Sequence, residues 1–219
     1  MVNRVLITRV EEDEITKYLS VYIKRKIKSE AEKSGFKIID LHNERATKKI
    51  LESVLKSLNP LLILFNGHGN DESIFGYRGN VLVQCERNVS ILCGRIVYAL
   101  TCSSANVLGD KAVNQHGTLA FIGYKEPFIA LNDDYSVSRP LDDEIAKPFI
   151  ESAMKVSESL VKGNTTGESL KKSKDMYNLW IAYYRVHSEI ADASDILQYL
   201  IADRDALIMI GDTDVRALN

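Results

Sequence analysis

The stretch of sequence that decides the fold is LLILFNGHG at residues 61–69, an unbroken apolar run that stops at a histidine between two glycines. A second run of this kind, IVYALTC at residues 96–102, stops at a cysteine. Short apolar runs without alternation are typical of strands buried on both faces of a parallel sheet. As strands of one sheet, the two runs would place His68 and Cys102 at the same edge, where open α/β folds bind their ligands.

The segments around these runs alternate between strand and helix patterns. Before residue 61 the patterns predict a strand at 5–10, a helix that ends at Gly35, a strand at 36–41 and a helix that Pro60 closes. After it they predict a hairpin at 73–84, a helix at 103–115, a strand at 118–122, three helices between 145 and 200, and a closing strand at 206–210. The sequence thus predicts an α/β fold, a three-layer sandwich whose mostly parallel sheet of about six strands is flanked by helices, in a single domain at residues 1–219.

The composition is that of an ordinary globular chain. A formal net charge of -2, from 28 basic and 30 acidic residues mixed along 219 positions, gives no electrostatic footprint for nucleic acid or an anionic membrane. The N-terminal segment turns acidic before a signal peptide could form, and no apolar run reaches the length of a membrane span. Three cysteines, an odd number, favour free thiols in a reducing compartment, so we expect a cytoplasmic protein.

The two polar strand ends suggest covalent chemistry at a thiol. A cysteine nucleophile reacts as the thiolate, so its pKa has to fall, and a nearby imidazolium or a helix N-terminus lowers it. The sequence predicts both for Cys102, from His68 and from the helix at 103–115. The backbone amides of Gly69 and Cys102 are candidates for stabilising an oxyanion.

The remaining cysteines carry a simpler interpretation. Cys85 and Cys93 have neither a CxxC spacing nor a nearby histidine at the spacing of zinc ligands, so we interpret both as structural thiols. We expect no metal and no organic cofactor. Taken alone, Cys102 could also be a small buried hydrophobe and His68 a loop residue.

These residues resemble the caspase-fold (clan CD) cysteine peptidases, which include caspases, legumain, clostripain, gingipains and separase, together with CHAT domains. Members share a hydrophobic block that ends in His-Gly and a second that ends in Ala-Cys, as in residues 61–69 and 96–102 here. The gingipain-like and CHAT branches are most similar, because they read Gly-His-Gly at the first block. Further similarity lies in GTLAFIG at 117–123, in LVKG at 160–163 followed by GESL at 167–170, and in IGDT at 210–213, which resembles a Gly-Asp-Pro turn.

The resemblance implies a caspase-like domain with cysteine endopeptidase activity on protein or peptide substrates. Cys102 would attack the scissile carbonyl and His68 would carry the proton to the leaving amine. Thr101 stands where the clan usually has alanine, so we expect it to reshape the specificity pocket. The clan often cuts after a charged residue or asparagine, and a basic preference, with Glu126, Asp133 and Asp134 as the acidic partners, is one hypothesis.

Two other functions stay open at this point. A caspase fold with a silent dyad could bind a partner protein without cleaving it, since a fold does not dictate a function. A flavodoxin-like or Rossmann-like domain that binds a small molecule is the other alternative, although no G-x-G-x-x-G or P-loop signature follows a strand. We expect no nucleic-acid partner and no membrane partner, and the sequence is compatible with a homodimer.

Overall fold

The centre of the molecule is a six-stranded sheet, seen in a computed structural model that describes residues 2–133, 136 and 138–218. The strands of the described chain are β1 (Arg4–Arg9), β2 (Lys37–His42), β3 (Leu62–Asn66), β4 (Gly69–Asn70), β5 (Ser73–Phe75), β6 (Val81–Gln84), β7 (Ile96–Leu100), β8 (Ala120–Tyr124) and β9 (Leu207–Gly211). The large sheet has the order β2-β1-β3-β7-β8-β9. Its pairs are parallel except for β8 with β9. The predicted mostly parallel sheet is confirmed.

Helices cover both faces of this sheet. They are α1 (Glu14–Tyr22), α2 (Lys28–Lys33), α3 (Lys48–Leu58), α4 (Leu108–Asn114), α5 (Lys147–Val161), α6 (Thr166–Val186) and α7 (Ala193–Ala206), and a π-helical turn (Ile23–Ile27) joins α1 to α2. One apolar core packs α1, α2 and α5–α7 against the sheet, and a second packs α3, α4 and the small β4–β6 sheet against the opposite face. The predicted three-layer α/β sandwich is therefore present.

The apolar strands divide their side chains between the two cores. Leu62 and Leu64 of β3 belong to the first core, and Ile63 and Phe65 belong to the second. Successive strand residues point to opposite faces, so a strand covered on both sides must be apolar throughout. This is why the run at 61–65 carries no alternation.

Two predicted elements differ from the structure. The hairpin at 73–84 is present, but residues 69–70 add a third antiparallel strand beside β5. The helix predicted from 103 begins only at Leu108, because the chain first makes a series of turns in which Ser103 has a φ of 55°. That left-handed conformation is incompatible with a right-handed helix at this point.

Candidate functional site

Adjacent strands β3 and β7 bring His68 and Cys102 to the same sheet edge. Asn66 pairs with Leu100 at the ends of the two strands, and the amide of Gly67 continues the contact to the Leu100 carbonyl at 3.4 Å. The two polar side chains follow within two residues of this last pair. Both line one cleft of about 290 Å³, at the carboxyl edge of the sheet, as the sequence predicted.

The cleft lies at the point in the sheet where the strand order changes direction, between β1 and β3. From β1 the chain first adds β2 on one side and then β3 on the other. The loops that follow β1 and β3 diverge at such a point and leave a crevice, which is the usual ligand site of open α/β sheets. Both loops contribute to the cleft, the first through Asp13 and the second through His68.

Close contact between Gly69 and Thr101 fixes the distance between the two loops. A methyl group built at Gly69 would lie 2.8 Å from Thr101 Cβ and 3.1 Å from the carbonyl oxygen of Cys102. Thr101 itself is buried and its hydroxyl lies 2.7 Å from the hydroxyl of Ser104. Only glycine permits this approach, so the loop after β3 rests directly on the residue before the candidate nucleophile.

Asp13 completes the site, and the sequence analysis did not predict it. One carboxylate oxygen, Oδ2, lies 2.9 Å from His68 Nε2, and both side chains are about half exposed. The other oxygen, Oδ1, accepts a hydrogen bond from the Thr16 amide at 2.7 Å and caps α1. A carboxylate at Nε2 leaves Nδ1 as the acceptor in the neutral imidazole, which orients the ring for proton transfer.

A buried arginine fixes the position of the loop that carries Asp13. Arg9, at the end of β1, donates two hydrogen bonds of 2.9 Å to the Asp40 carboxylate and a third of 2.9 Å to the Ser20 hydroxyl. Lys28 donates to the same carboxylate. Burial raises the pKa of Asp40, but the hydrogen bonds from Arg9 and Lys28 outweigh burial and hold that pKa below its usual range. The ionised network ties β1, β2 and the α1–α2 helix together beside the cleft.

The predicted activation of the Cys102 thiol by a helix N-terminus is wrong. The α4 helix starts six residues further along the chain, so its N-terminus does not directly follow Cys102. Burial raises the pKa of Cys102 above the ordinary value, and the nearby carboxylate of Asp13 raises it further. The thiol donates to the Phe128 carbonyl with an Sγ–O distance of 3.9 Å. The resting form of Cys102 is thus the neutral thiol.

A segment at 125–133, which we call the strap, covers this thiol. Its Lys125 amide donates to the Ala206 carbonyl, its Ile129 amide to Asp203 Oδ1, and its Asn132 side chain to Glu14 Oε2. The ring of Phe128 packs on that of Tyr124 with centroids 5.1 Å apart. The strap therefore connects α7 with α1 across the cleft.

Asp203 is a fully buried carboxyl behind the strap. Its Oδ2 has no hydrogen-bond partner among the described residues, and burial raises the pKa of Asp203 well above its usual range. A signal for this residue was present in the sequence, because Ile196, Leu200 and Asp203 follow helical spacing and share the buried face of α7. An acidic residue at such a position indicates a specific role in the core.

The pH dependence of stability tests the state of Asp203. The folded protein holds the proton on Asp203 more tightly than the unfolded chain, so the free energy of unfolding falls as pH rises above the ordinary Asp range of about 4. Asp203→Asn keeps an acceptor for the Ile129 amide and removes this titration. Urea unfolding is therefore expected to show the variant gaining stability relative to the parent protein between pH 4 and pH 8. A difference that stays constant over that range would contradict a raised pKa.

Of the acidic residues proposed for substrate binding, the two that are described are not among the residues that line the cleft. Glu126 is exposed, and its backbone carbonyl accepts from the Ser103 amide. Asp133 is half-buried at the end of the strap, where its amide donates to Asp143 and its carboxylate accepts from the Ser136 hydroxyl. Neither is among the cleft-lining residues, and Asp134 lies outside the described residues. Thr101, by contrast, does line the cleft.

Comparisons of this chain with known proteins do not identify a family. No protein-family model matches the chain, and a search of curated proteins found no match to it. Within the described ranges, no cluster of three or more His, Cys, Asp or Glu side chains has an arrangement that could hold a metal ion. None of the described helices combines the length and apolar character needed to cross a membrane.

Proposed function

We propose that this chain is a cysteine endopeptidase of the caspase-fold clan, in which Cys102 is the nucleophile and His68 the proton carrier. The observation that carries the proposal is the shared cleft of His68 and Cys102, together with the Asp13 carboxylate on Nε2 of the histidine. A nucleophile, a base and a third group that orients the base form an arrangement that is diagnostic of nucleophilic catalysis.

The neutral resting thiol determines the proposed order of events. His68 removes the proton from Cys102 as sulfur attacks the scissile carbonyl, and the Gly69 and Cys102 amides stabilise the oxyanion. His68 then donates that proton to the leaving amine, which breaks the peptide bond and leaves an acyl-enzyme. Water, deprotonated by His68, releases the acid and restores the thiol. No metal or organic cofactor takes part in these proposed steps.

The proposed substrates are proteins or peptides in the cytoplasm. The thiols of Cys85, Cys93 and Cys102 are free, which suits a reducing compartment. A homodimer is compatible with this function but is not required by it, since Asp13, His68 and Cys102 come from one chain.

Alkylation with iodoacetamide, followed by mass mapping, tests the dyad. We expect the reaction of Cys102 to slow about tenfold or more in His68→Ala, because only the thiolate reacts and His68 is the proposed proton acceptor, whereas the reaction of the exposed Cys93 should stay unchanged. Peptide-library turnover by the same preparation completes the test. Absence of turnover, with Cys102 labelling indifferent to His68, would leave the catalytic proposal without support.

Asp13 offers a second test, because its two oxygens have separate roles. Asp13→Asn and Asp13→Ser both retain a good helix N-cap, so α1 should stay folded. Neither supplies the carboxylate that orients and stabilises the imidazolium. We expect kcat to fall about tenfold or more in both variants, with little change in the free energy of unfolding, by analogy with carboxylate removal in hydrolytic triads. Unchanged kcat in both variants would show that Asp13 only caps the helix.

A silent scaffold that binds a partner protein is the second candidate. The raised pKa of Cys102 favours it, because an unactivated thiol is what a non-catalytic dyad would retain. The two candidates differ in one measurement. A scaffold would bind its partner equally well with Cys102→Ala and would turn over no peptide.

A further inference from the structure

The residues that line the cleft beside Cys102 form two chemical groups. One group is polar and consists of Asp13, Thr16, His68 and Thr101. The other group, which we call the apolar wall, combines side chains from α1, the end of β7 and the strap: Ile15, Leu19, Leu100, Phe128, Ile129 and Ala130. A substrate that presents its carbonyl to Cys102 would place a neighbouring side chain against this apolar wall.

Two described acidic side chains lie at or behind the cleft, and neither offers a free carboxylate to a substrate. Asp13 binds His68 with one oxygen and the Thr16 amide with the other. Asp203 lies behind the strap rather than on the cleft surface and has no solvent exposure, and burial raises its pKa well above the usual range. Among the described residues, Asp13 is the one acidic side chain that lines the cleft, so the described lining offers an incoming cation no unengaged carboxylate.

We infer that the cleft accepts an uncharged, apolar side chain of the substrate, on the residue whose carbonyl Cys102 attacks. This inference rests on the proposed peptidase function and names its substrate class, in place of the basic preference considered from sequence. A charged side chain pressed against this wall would lose its hydration without gaining a partner, whereas an apolar one gains from leaving water. The volume of about 290 Å³ lies near the lower end of small-molecule pockets, which suits one side chain and its adjoining backbone.

Peptide chloromethyl ketones that differ only in their last residue measure this preference without requiring turnover, because the Cys102 sulfur bonds to the methylene carbon as chloride leaves. We expect ketones ending in Leu or Phe to alkylate Cys102 at least about tenfold faster than those ending in Arg or Asp, a ratio within reach of a single pocket. Mass mapping identifies the modified residue, and Cys102→Ala is the blank. Faster labelling by the Arg ketone would overturn the inference, and its loss in Asp203→Asn would identify Asp203 as the cation's partner.

Two variants place a charge in the apolar wall at positions that are partly exposed. Ile15 is half-buried and Ile129 is 37% exposed, so glutamate at either position can reach water. Ile15→Glu and Ile129→Glu should each lower the rate at which the Leu ketone alkylates Cys102 by about tenfold. The ratio of that rate to the rate with the Arg ketone should fall as well. Val186→Glu is the matched control, because Val186 is 72% exposed on α6 and outside the cleft. An unchanged order of ketones in both wall variants would show that the side chain binds elsewhere.

The same series separates this inference from the function beneath it. If Cys102 is labelled selectively but faster by ketones with a charged last residue, the apolar pocket is contradicted and the proposed peptidase function is not. Failure of every ketone to label Cys102, in protein whose Cys93 still reacts with iodoacetamide, contradicts the peptidase and the pocket together.

Discussion

Cys102→Ala is expected to remove peptide cleavage altogether, with a loss of at least about 10³-fold in kcat. The mechanism proposed for this chain forms and breaks a bond to sulfur, and alanine offers no atom to replace it. Loss of a nucleophile or of its base costs similar large factors in hydrolases that use such a pair, because the two residues act as a unit. We therefore expect His68→Ala to fall to the same level, and the double variant to be no worse than either.

The matched control for this prediction is Cys93→Ala. Cys93 is an exposed thiol in the turn before β7, outside the cleft, so its removal should leave kcat unchanged. Rates should be taken from a peptide that the parent protein cleaves, with folding of each variant checked by circular dichroism. Residual cleavage above about one tenth of the parent rate in Cys102→Ala would assign the activity to another group.

Phe121→Ala is expected to cost about 3–5 kcal/mol of the free energy of unfolding, as large-to-small changes of buried aromatics do. Phe121 lies on β8 without solvent exposure, in the core between the sheet and α3 and α4. Its ring fills the space left by Gly109 of α4, where an added methyl group would come within 2.8 Å of the ring. Truncation leaves a cavity that neither the sheet nor this glycine can fill.

Urea unfolding measures this loss, which is a large share of the roughly 5–15 kcal/mol typical of a folded domain. Val186→Ala on the exposed part of α6 provides the comparison and should change stability by no more than about 0.5 kcal/mol. A cost below about 1 kcal/mol at Phe121 would mean that the second core repacks around the cavity.

The sheet could be predicted from the sequence because its buried strands are continuous apolar runs with clear ends. The runs at 61–65 and 96–100 leave one geometric arrangement for His68 and Cys102 once they pair in parallel. The turns between Cys102 and α4 could not be foreseen, because they depend on the left-handed conformation of Ser103 and on contacts with the chain after β8. Helical propensity there is overridden by tertiary contacts.

Asp13 and Asp203 were missed for different reasons. Asp13 follows two glutamates in what reads as a solvated acidic turn, and its contact with His68 joins the loops of two strands that are far apart in sequence. Asp203 obeys the apolar spacing of α7, but a spacing pattern does not indicate that a carboxyl will meet the amide of Ile129. Contacts between distant segments carry the chemistry of this site, and the pattern within one segment cannot reveal them.

The contact between Gly69 and Thr101 restricts the sequences that this site can sample over time. The atom nearest to an added methyl group at position 69 is Thr101 Cβ, at 2.8 Å, and every residue other than glycine carries that atom. The backbone oxygen of Cys102 lies at 3.1 Å as well, so a smaller side chain at 101 would not make room for one at 69. The coupling therefore runs in one direction: position 69 is held to glycine, whereas the residue before Cys102 can become smaller without a change in the loop that carries His68.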